Sequence, residues 1–155
     1  MIVGFDPGKS GGFATITDGG ILMAKQRMPV IRRGKRDLVD TRQLDALMKA
    51  QAAAEPIRAI VIELVHARPG QGVSSMFNFG RHVGSIEGMA LAYGRPIEWV
   101  TPARWKKYWG LSKDKRASLE QARLTFGDDK TWNILANDGI AEAALMAEFY
   151  RRHII

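Results

Sequence analysis

The sequence predicts an α/β fold built on a mixed sheet of about five strands with helices on both faces. Three observations lead there. Ile2-Val3-Gly4-Phe5 is a short apolar opening that ends in a carboxylate, Asp6. Ala59-Ile60-Val61-Ile62 repeats that design and ends in Glu63, with the unbroken hydrophobicity of a strand covered on both sides. Turn signals dominate the stretch after the first strand, while strand–helix alternation follows residue 59, the order of a meander joined to crossover units. At 155 residues, positions 1–155 read as one domain with room for a hydrophobic core.

Residues 2–5 form the first strand, and Pro7 and Gly8 turn the chain behind it. Residues 11–17 alternate well enough for a second strand. Asp18-Gly19-Gly20 is a hairpin turn, and residues 20–28 return antiparallel as a third strand. Residues 29–39 read as a basic loop. Asp40 is placed to cap a helix over 41–54, with Leu44, Leu47, Met48 and Gln51 along one face and Pro56 as its stop. Residues 59–63 are the fourth strand, and 66–72, with Pro69 and two glycines, a flexible loop. A helix over 74–93 closes at Gly94. A short fifth strand over 96–100 precedes a helix begun by Pro102 and reaching Tyr108. The spacing predicts two further helices, one over 113–126 with Gly127 as its stop and one from 137 or 138 to 152.

Twenty-three Lys and Arg stand against sixteen Asp and Glu, a net charge of +7 that points to a polyanionic partner. The surplus is clustered. Arg32, Arg33, Lys35 and Arg36 form one run; Arg104, Lys106, Lys107, Lys113, Lys115 and Arg116 form another beside Trp105, Tyr108 and Trp109. Such mixtures contact phosphates and stack on exposed bases. The absence of cysteine excludes disulfides and thiolate metal sites and fits a reducing cytoplasm. No apolar run reaches the length of a membrane span, and no basic-then-apolar leader opens the chain.

Four carboxylates carry the chemistry. Asp6 and Glu63 end apolar strands; in neighbouring strands their side chains emerge at one sheet edge, where open α/β sheets place ligands. Asp138 and Glu142 lie four apart at the start of the last helix, hence on one helical face. Gathered together, such acids repel unless cations are present, and Mg²⁺ or Mn²⁺ with oxygen ligands suits them. Two such ions activate a water and stabilise the leaving oxygen of a phosphodiester. A basic surface around a metal-loading acidic pocket is the combination a nuclease needs. Each acid also has a plain reading: Asp6 as a turn residue, Glu63 as an arginine's partner, Asp138 as an N-cap, and Glu142 as a first-turn acid favoured by the helix dipole. His66, His82 and His153 have no zinc-ligand spacing, and no Ser–His pair marks a hydrolase triad.

Gly4-Phe5-Asp6-Pro7-Gly8, Val61-Ile62-Glu63 and Asp138-Gly139-Ile140-Ala141-Glu142-Ala143-Ala144-Leu145 resemble RuvC-type Holliday-junction resolvases. Ser74 to Arg81, Gly84, Pro96 to Pro102 and Trp105-Lys106-Lys107 match in order, so the resemblance spans nearly the whole chain, with the phage-type relatives as its nearer form. It implies a ribonuclease-H-like fold and a homodimeric, Mg²⁺-dependent endonuclease, with Mn²⁺ able to substitute, that places paired nicks across four-way DNA junctions. By position, Asp6, Glu63 and Asp138 are the matching acids. Glu142 falls where the family has Asp in an Asp-Ala-Leu run; here the run is Glu-Ala-Ala-Leu and the spacing from Asp138 is four rather than three. Asp138, Glu142 or both are therefore candidate ligands. Phe77 lies in the segment that probes bases at the junction centre, with Arg81 in the same motif. Lys107 and Lys115 lie in the basic region near the scissile phosphate, and Arg32, Arg33, Lys35, Arg36, Arg104, Lys106 and Lys113 are expected on the DNA backbone. The alternatives are a nuclease of the same fold acting on other branched DNA or RNA–DNA hybrids, and a non-catalytic nucleic-acid-binding module.

Gly80, Gly84 and Gly88 fall inside the helix over 74–93. Each costs about 0.5–1 kcal/mol relative to alanine, so something offsets the loss. Their spacing of four makes one ridge, for close packing either onto the protein's own sheet or onto a second copy in a two-fold dimer.

Overall fold

A computed structural model describes residues 1–66, 70 and 72–154. Its main sheet has five strands: β1 (Ile2–Asp6), β2 (Gly12–Ile16), β3 (Leu22–Arg27), β6 (Ala59–Glu63) and β7 (Ile97–Val100), in the order β3-β2-β1-β6-β7. β1, β2 and β3 run antiparallel as the meander, and β6 and β7 join parallel to β1. β1 and β6 are neighbours with Phe5 opposite Ile62, so Asp6 and Glu63 stand side by side one step further on.

The period of two along a strand sorts side chains to the two faces. Ile2 with Ala59 and Val61 enters one core, together with Trp105, Leu119, Ala122 and Leu145 of α3 (Pro102–Trp109), α4 (Lys115–Phe126) and α5 (Asp138–Ile154). Val3, Phe5, Ile60 and Ile62 enter the other, with Leu44 and Met48 of α1 (Thr41–Ala52) and Ile86 and Ala90 of α2 (Val73–Leu91). Helices therefore cover both faces. By the same alternation Gly4, Asp6 and Glu63 belong to the α5 face.

α5 lies unusually close to the sheet. A Cβ on Gly4 would sit 2.1 Å from the Ala143 carbonyl oxygen, and one on Gly12 would sit 2.4 Å from Gly139 O and Ile140 N. The helix is thin where it touches: Ala141, Ala143, Ala144 and Ala147 are fully buried. Only glycine on the strands and alanine on the helix allow this approach, which brings the first turns of α5 to the sheet edge where Asp6 ends β1.

Sequence and structure part company in several places. Residues 29–39 are no loop: β4 (Val30–Arg33) and β5 (Arg36–Val39) pair antiparallel, Val30 opposite Val39 and Arg32 opposite Asp37. Gly34 at φ 63° opens the two-residue turn, a position that favours glycine. The four basic residues in the middle hide the alternation that would mark these strands. Smaller shifts follow the caps. Asp40 Oδ1 accepts from the Arg42 and Gln43 amides, Thr101 caps α3 ahead of Pro102, and Asp114 caps α4, which starts at Lys115 rather than 113. Two 3₁₀ turns, Lys130–Asn133 and Leu135–Asn137, lead into α5. Most of the expected 66–72 loop lies outside the described residues. The ridge of Gly80, Gly84 and Gly88 does not pack onto the protein's own sheet, because a Cβ at any of the three meets nothing within 4 Å. No described helix is long and apolar enough to cross a membrane.

Candidate active site

One carboxylate oxygen from each of Asp6, Glu63 and Glu142 lies within 4.8 Å of the others. Three elements bring them together: the end of β1, the end of β6 beside it, and the second turn of α5, held against the sheet by Gly4 and Gly12. The Asp6 carboxylate accepts no hydrogen bond from the described residues, so it does not cap the Pro7-Gly8 turn. Burial above all, and then the like charges of Glu63, Glu142 and Asp138, push its carboxyl well above the usual range; Lys106 opposes them only in part. A carboxylate held where its charged form is disfavoured is poised for a cation.

α3 clasps this cluster with consecutive residues. The Trp105 indole, fully buried, donates from Nε1 to Glu63 Oε1 at 2.9 Å. Lys106 Nζ donates to Glu142 Oε1 at 2.7 Å, and the buried Ser118 hydroxyl of α4 donates to the same oxygen at 3.1 Å. Asp138 stands beside the three acids, paired through Oδ2 with Lys115 Nζ at 2.6 Å, and that contact raises the lysine's pKa. All four sequence-derived acids thus come to one place, with Glu142 inside the tight group and Asp138 at its rim.

A cleft of about 630 Å³ opens from Asp6 and Asp138. Lys115 lines it beside the acids, Ser75, Asn78, Phe79 and His82 of α2 form another side, and Lys9, Arg32, Lys35 and Arg36 form a basic wall. Arg32, Lys35 and Arg36 of the β4–β5 hairpin therefore line the same cleft as Asp6 and Asp138. Arg33 turns away toward Asp40 and Arg81.

The remaining candidates spread more widely. Lys107 is exposed and one helical step round α3 from Lys106, which is the lysine that meets the acids. Arg104 is exposed, within 3.4 Å of Glu98, and Lys113 is exposed ahead of α4. Phe77 is exposed on α2 with the Arg81 guanidinium 5.9 Å from its ring centre. Trp105, read from sequence as an aromatic for base stacking, is instead a buried donor, and Trp109 is partly buried with its Nε1 donating to the Leu145 carbonyl. Residues that the sequence reading passed over are Ser118, Gly12 and Gly139. For Gly12 and Gly139 a signal was available, since glycines stood at the very points where β2 and α5 must touch. Ser118 carried none.

No protein-family model matches the sequence, and no curated relative matches it. Among solved structures, Thermus thermophilus RuvC in complex with a Holliday junction substrate is similar at TM-score 0.65 and 15% identity, covering 97% of this chain and 94% of that one. A second T. thermophilus RuvC structure gives 0.60 at 16% identity, covering 97% and 95%. The yeast mitochondrial Holliday junction resolvase Ydc2 gives 0.56 at 16% identity, covering 97% of this chain and 77% of that one. At such identities the likeness establishes the fold: this chain has the ribonuclease-H-like architecture of RuvC.

Proposed function

We propose that this protein is a divalent-metal-dependent endonuclease that cuts branched DNA, four-way junctions foremost, by paired nicks from a homodimer. The observation that carries the reading is the convergence of Asp6, Glu63 and Glu142 within 4.8 Å at the edge of a basic cleft. The donor set fits a hard cation. All three donors are carboxylates, no sulfur or imidazole joins them among the described residues, and the charge of Asp6 is disfavoured by burial and by the neighbouring acids. Mg²⁺, with Mn²⁺ as substitute, would be held by Asp6, Glu63 and Glu142 with Asp138 alongside, and supplies a water of lowered pKa and charge stabilisation at the phosphodiester. The protein's own part is positional. Trp105 and Ser118 orient Glu63 and Glu142. Lys106 and Lys115, released from their carboxylates, present ammonium groups to the charge that develops on the phosphate. The substrate class follows the fold neighbours, one in complex with a Holliday junction substrate and one named a Holliday junction resolvase, and the basic wall of the cleft.

The dimer rests on α2. Val73, Phe77 and Leu91, 85%, 61% and 63% exposed, share one face of that helix with Gly80, Gly84 and Gly88. A two-fold axis at Gly84 sets Gly80 of one copy against Gly88 of the second. A side chain at Gly84 meets nothing within 4 Å in the single chain, so Gly84→Arg leaves the fold intact and blocks only the approach of a second copy. Light scattering is expected to give a dimer for the wild type and a monomer for Gly84→Arg. A wild-type monomer at micromolar concentration contradicts the arrangement.

The function is tested by incubating a synthetic four-way junction and a matched linear duplex with Mg²⁺ and either wild type or Asp6→Asn. Symmetric nicks in the junction from the wild type alone are the expected result. Binding without cutting by both proteins identifies a binding module, and preferential cutting of flaps or hybrids moves the substrate assignment.

A further inference from the structure

We propose that the β4–β5 hairpin is an arm that grips the phosphodiester backbone of the cut strand beside the acids, and that the buried His82 holds this arm in place. The identity of the strand rests on the nuclease reading; the phosphate-gripping surface does not. The hairpin carries Arg32, Arg33, Lys35 and Arg36 around a single acid, Asp37. That acid is spent on fixing the arm. Arg32 meets Asp37 Oδ1 at 2.8 Å and donates to the Gly34 carbonyl at 3.0 Å, and Lys9 lies 3.8 Å from Asp37 Oδ2. Lys35 and Arg36 are exposed, make no ion pair among the described residues, and line the same cleft as Asp6 and Asp138. Cations without ion pairs among the described residues, lining one cleft with carboxylates, suit a strand whose one phosphate lies at the acids and whose next lies on the hairpin.

The arm is tied down at both ends. Met28 and Val39 at its root are buried in the core, and the Asp40 amide donates to the Pro29 carbonyl at 2.9 Å. Halfway along, His82 Nε2 on α2 donates to the Asp37 carbonyl at 3.0 Å. His82 is 5% exposed, and its side-chain hydrogen bond among the described residues goes to the arm. In that role His82 is a positioning residue and Lys35 and Arg36 are the gripping ones.

The test is the salt dependence of binding a fluorescein-labelled oligothymidylate, read by anisotropy in EDTA. Lys35→Ala with Arg36→Ala is expected to flatten the log–log slope by about 1.4, near 0.7 per lost contact on a single strand. Between about 50 and 200 mM salt the wild type then loses roughly sevenfold more affinity than the variant. Lys49→Ala with Arg123→Ala removes two cations that do not line the cleft, and is expected to leave the slope unchanged. His82→Leu, which removes the donor, is expected to flatten the slope like the hairpin variant, and His82→Gln, which keeps a donor, to restore it. Amide exchange in residues 30–39 of the wild type is expected to slow on oligothymidylate binding, a readout that needs no variant to fold. An unchanged slope in the hairpin variant, an equal drop in the control, or unaltered exchange overturns the arm. A wild-type slope in His82→Leu overturns the positioning role. Junction cleavage with an unchanged hairpin slope removes the arm and leaves the nuclease reading intact, whereas a flattened slope without cleavage supports the arm and removes the nuclease reading.

Discussion

Gly12→Ala, on the strand beside Asp6, is predicted to damage the active site by pushing on α5, without removing a carboxylate. The added Cβ would lie 2.4 Å from Gly139 O and Ile140 N, both backbone atoms of α5 that no rotamer change can move. Relief to ordinary contact, which begins at 3.4 Å, requires the first turn of α5 to retreat by about 1 Å. Overpacking of this kind costs roughly 1–3 kcal/mol. For a chain of this size that lowers Tm by about 2–12 °C. The same retreat shifts Asp138 and Glu142 relative to Asp6, and a displacement of about 1 Å in a catalytic group costs on the order of 100-fold in rate. The assay is a thermal melt by circular dichroism paired with single-turnover cleavage of a four-way junction. Gly19→Ala is the control: its Cβ meets only Thr17 Oγ1, at an ordinary 3.5 Å, in the turn after β2 and away from the cleft, so it is expected to cut like wild type. A Gly12→Ala protein that melts and cuts like wild type would refute the argument that glycine sets the α5–sheet distance and, through it, the acid geometry.

Trp105→Phe keeps most of the buried ring and removes the donor to Glu63 Oε1. A hydrogen bond to a charged group is worth about 1.5–3 kcal/mol, so the variant is expected to melt several degrees lower and to bind Mn²⁺ more weakly by calorimetry; unchanged metal affinity denies Trp105 its orienting role. Asp6 makes stability depend on pH in the metal-free protein. Its folded pKa lies above the unfolded value, so the folded state retains a proton that the unfolded chain has lost. Stability is then expected to fall as pH rises from about 4 through the raised pKa, and Asp6→Asn to abolish that part of the fall and melt above wild type at pH 8 in EDTA. Denaturant melts across pH read this directly, and a flat profile for both proteins contradicts it. Added Mg²⁺ is expected to raise the wild-type Tm and leave that of Asp6→Asn nearly unmoved, by binding linkage.

Much of this was legible because the apolar runs were short and ended in charge. Asp6 and Glu63 stood out as carboxylates closing hydrophobic strands, and the strands proved adjacent and parallel. The spacing of Asp138 and Glu142 placed both near the sheet edge, but not which of the two enters the tight group; that depends on the phase of α5, which Gly4, Gly12 and Gly139 set through space. The resemblance placed Lys107 near the scissile phosphate and Lys106 on the DNA backbone; in the structure Lys106 meets the acids and Lys107 faces solvent, because one helical step separates those two sides of α3. The hairpin was hidden for a different reason. In Val30-Ile31-Arg32-Arg33-Gly34-Lys35-Arg36-Asp37-Leu38-Val39 the apolar residues sit only at the ends and pair with each other across the turn. A period-two search finds nothing in such a segment, while a search for mirror symmetry about the Gly34–Lys35 bond would have found it.

The central claim is that Asp6, Glu63 and Glu142 form a divalent-metal centre. The most direct measurement is anomalous diffraction from crystals soaked in Mn²⁺, for the wild type and for Glu142→Gln. Strong peaks bonded to the Asp6, Glu63 and Glu142 carboxylates of the wild type, weakened or lost in the variant, are the predicted result. Mn²⁺ bound elsewhere with these three carboxylates bare, or an unchanged peak in Glu142→Gln, would contradict it.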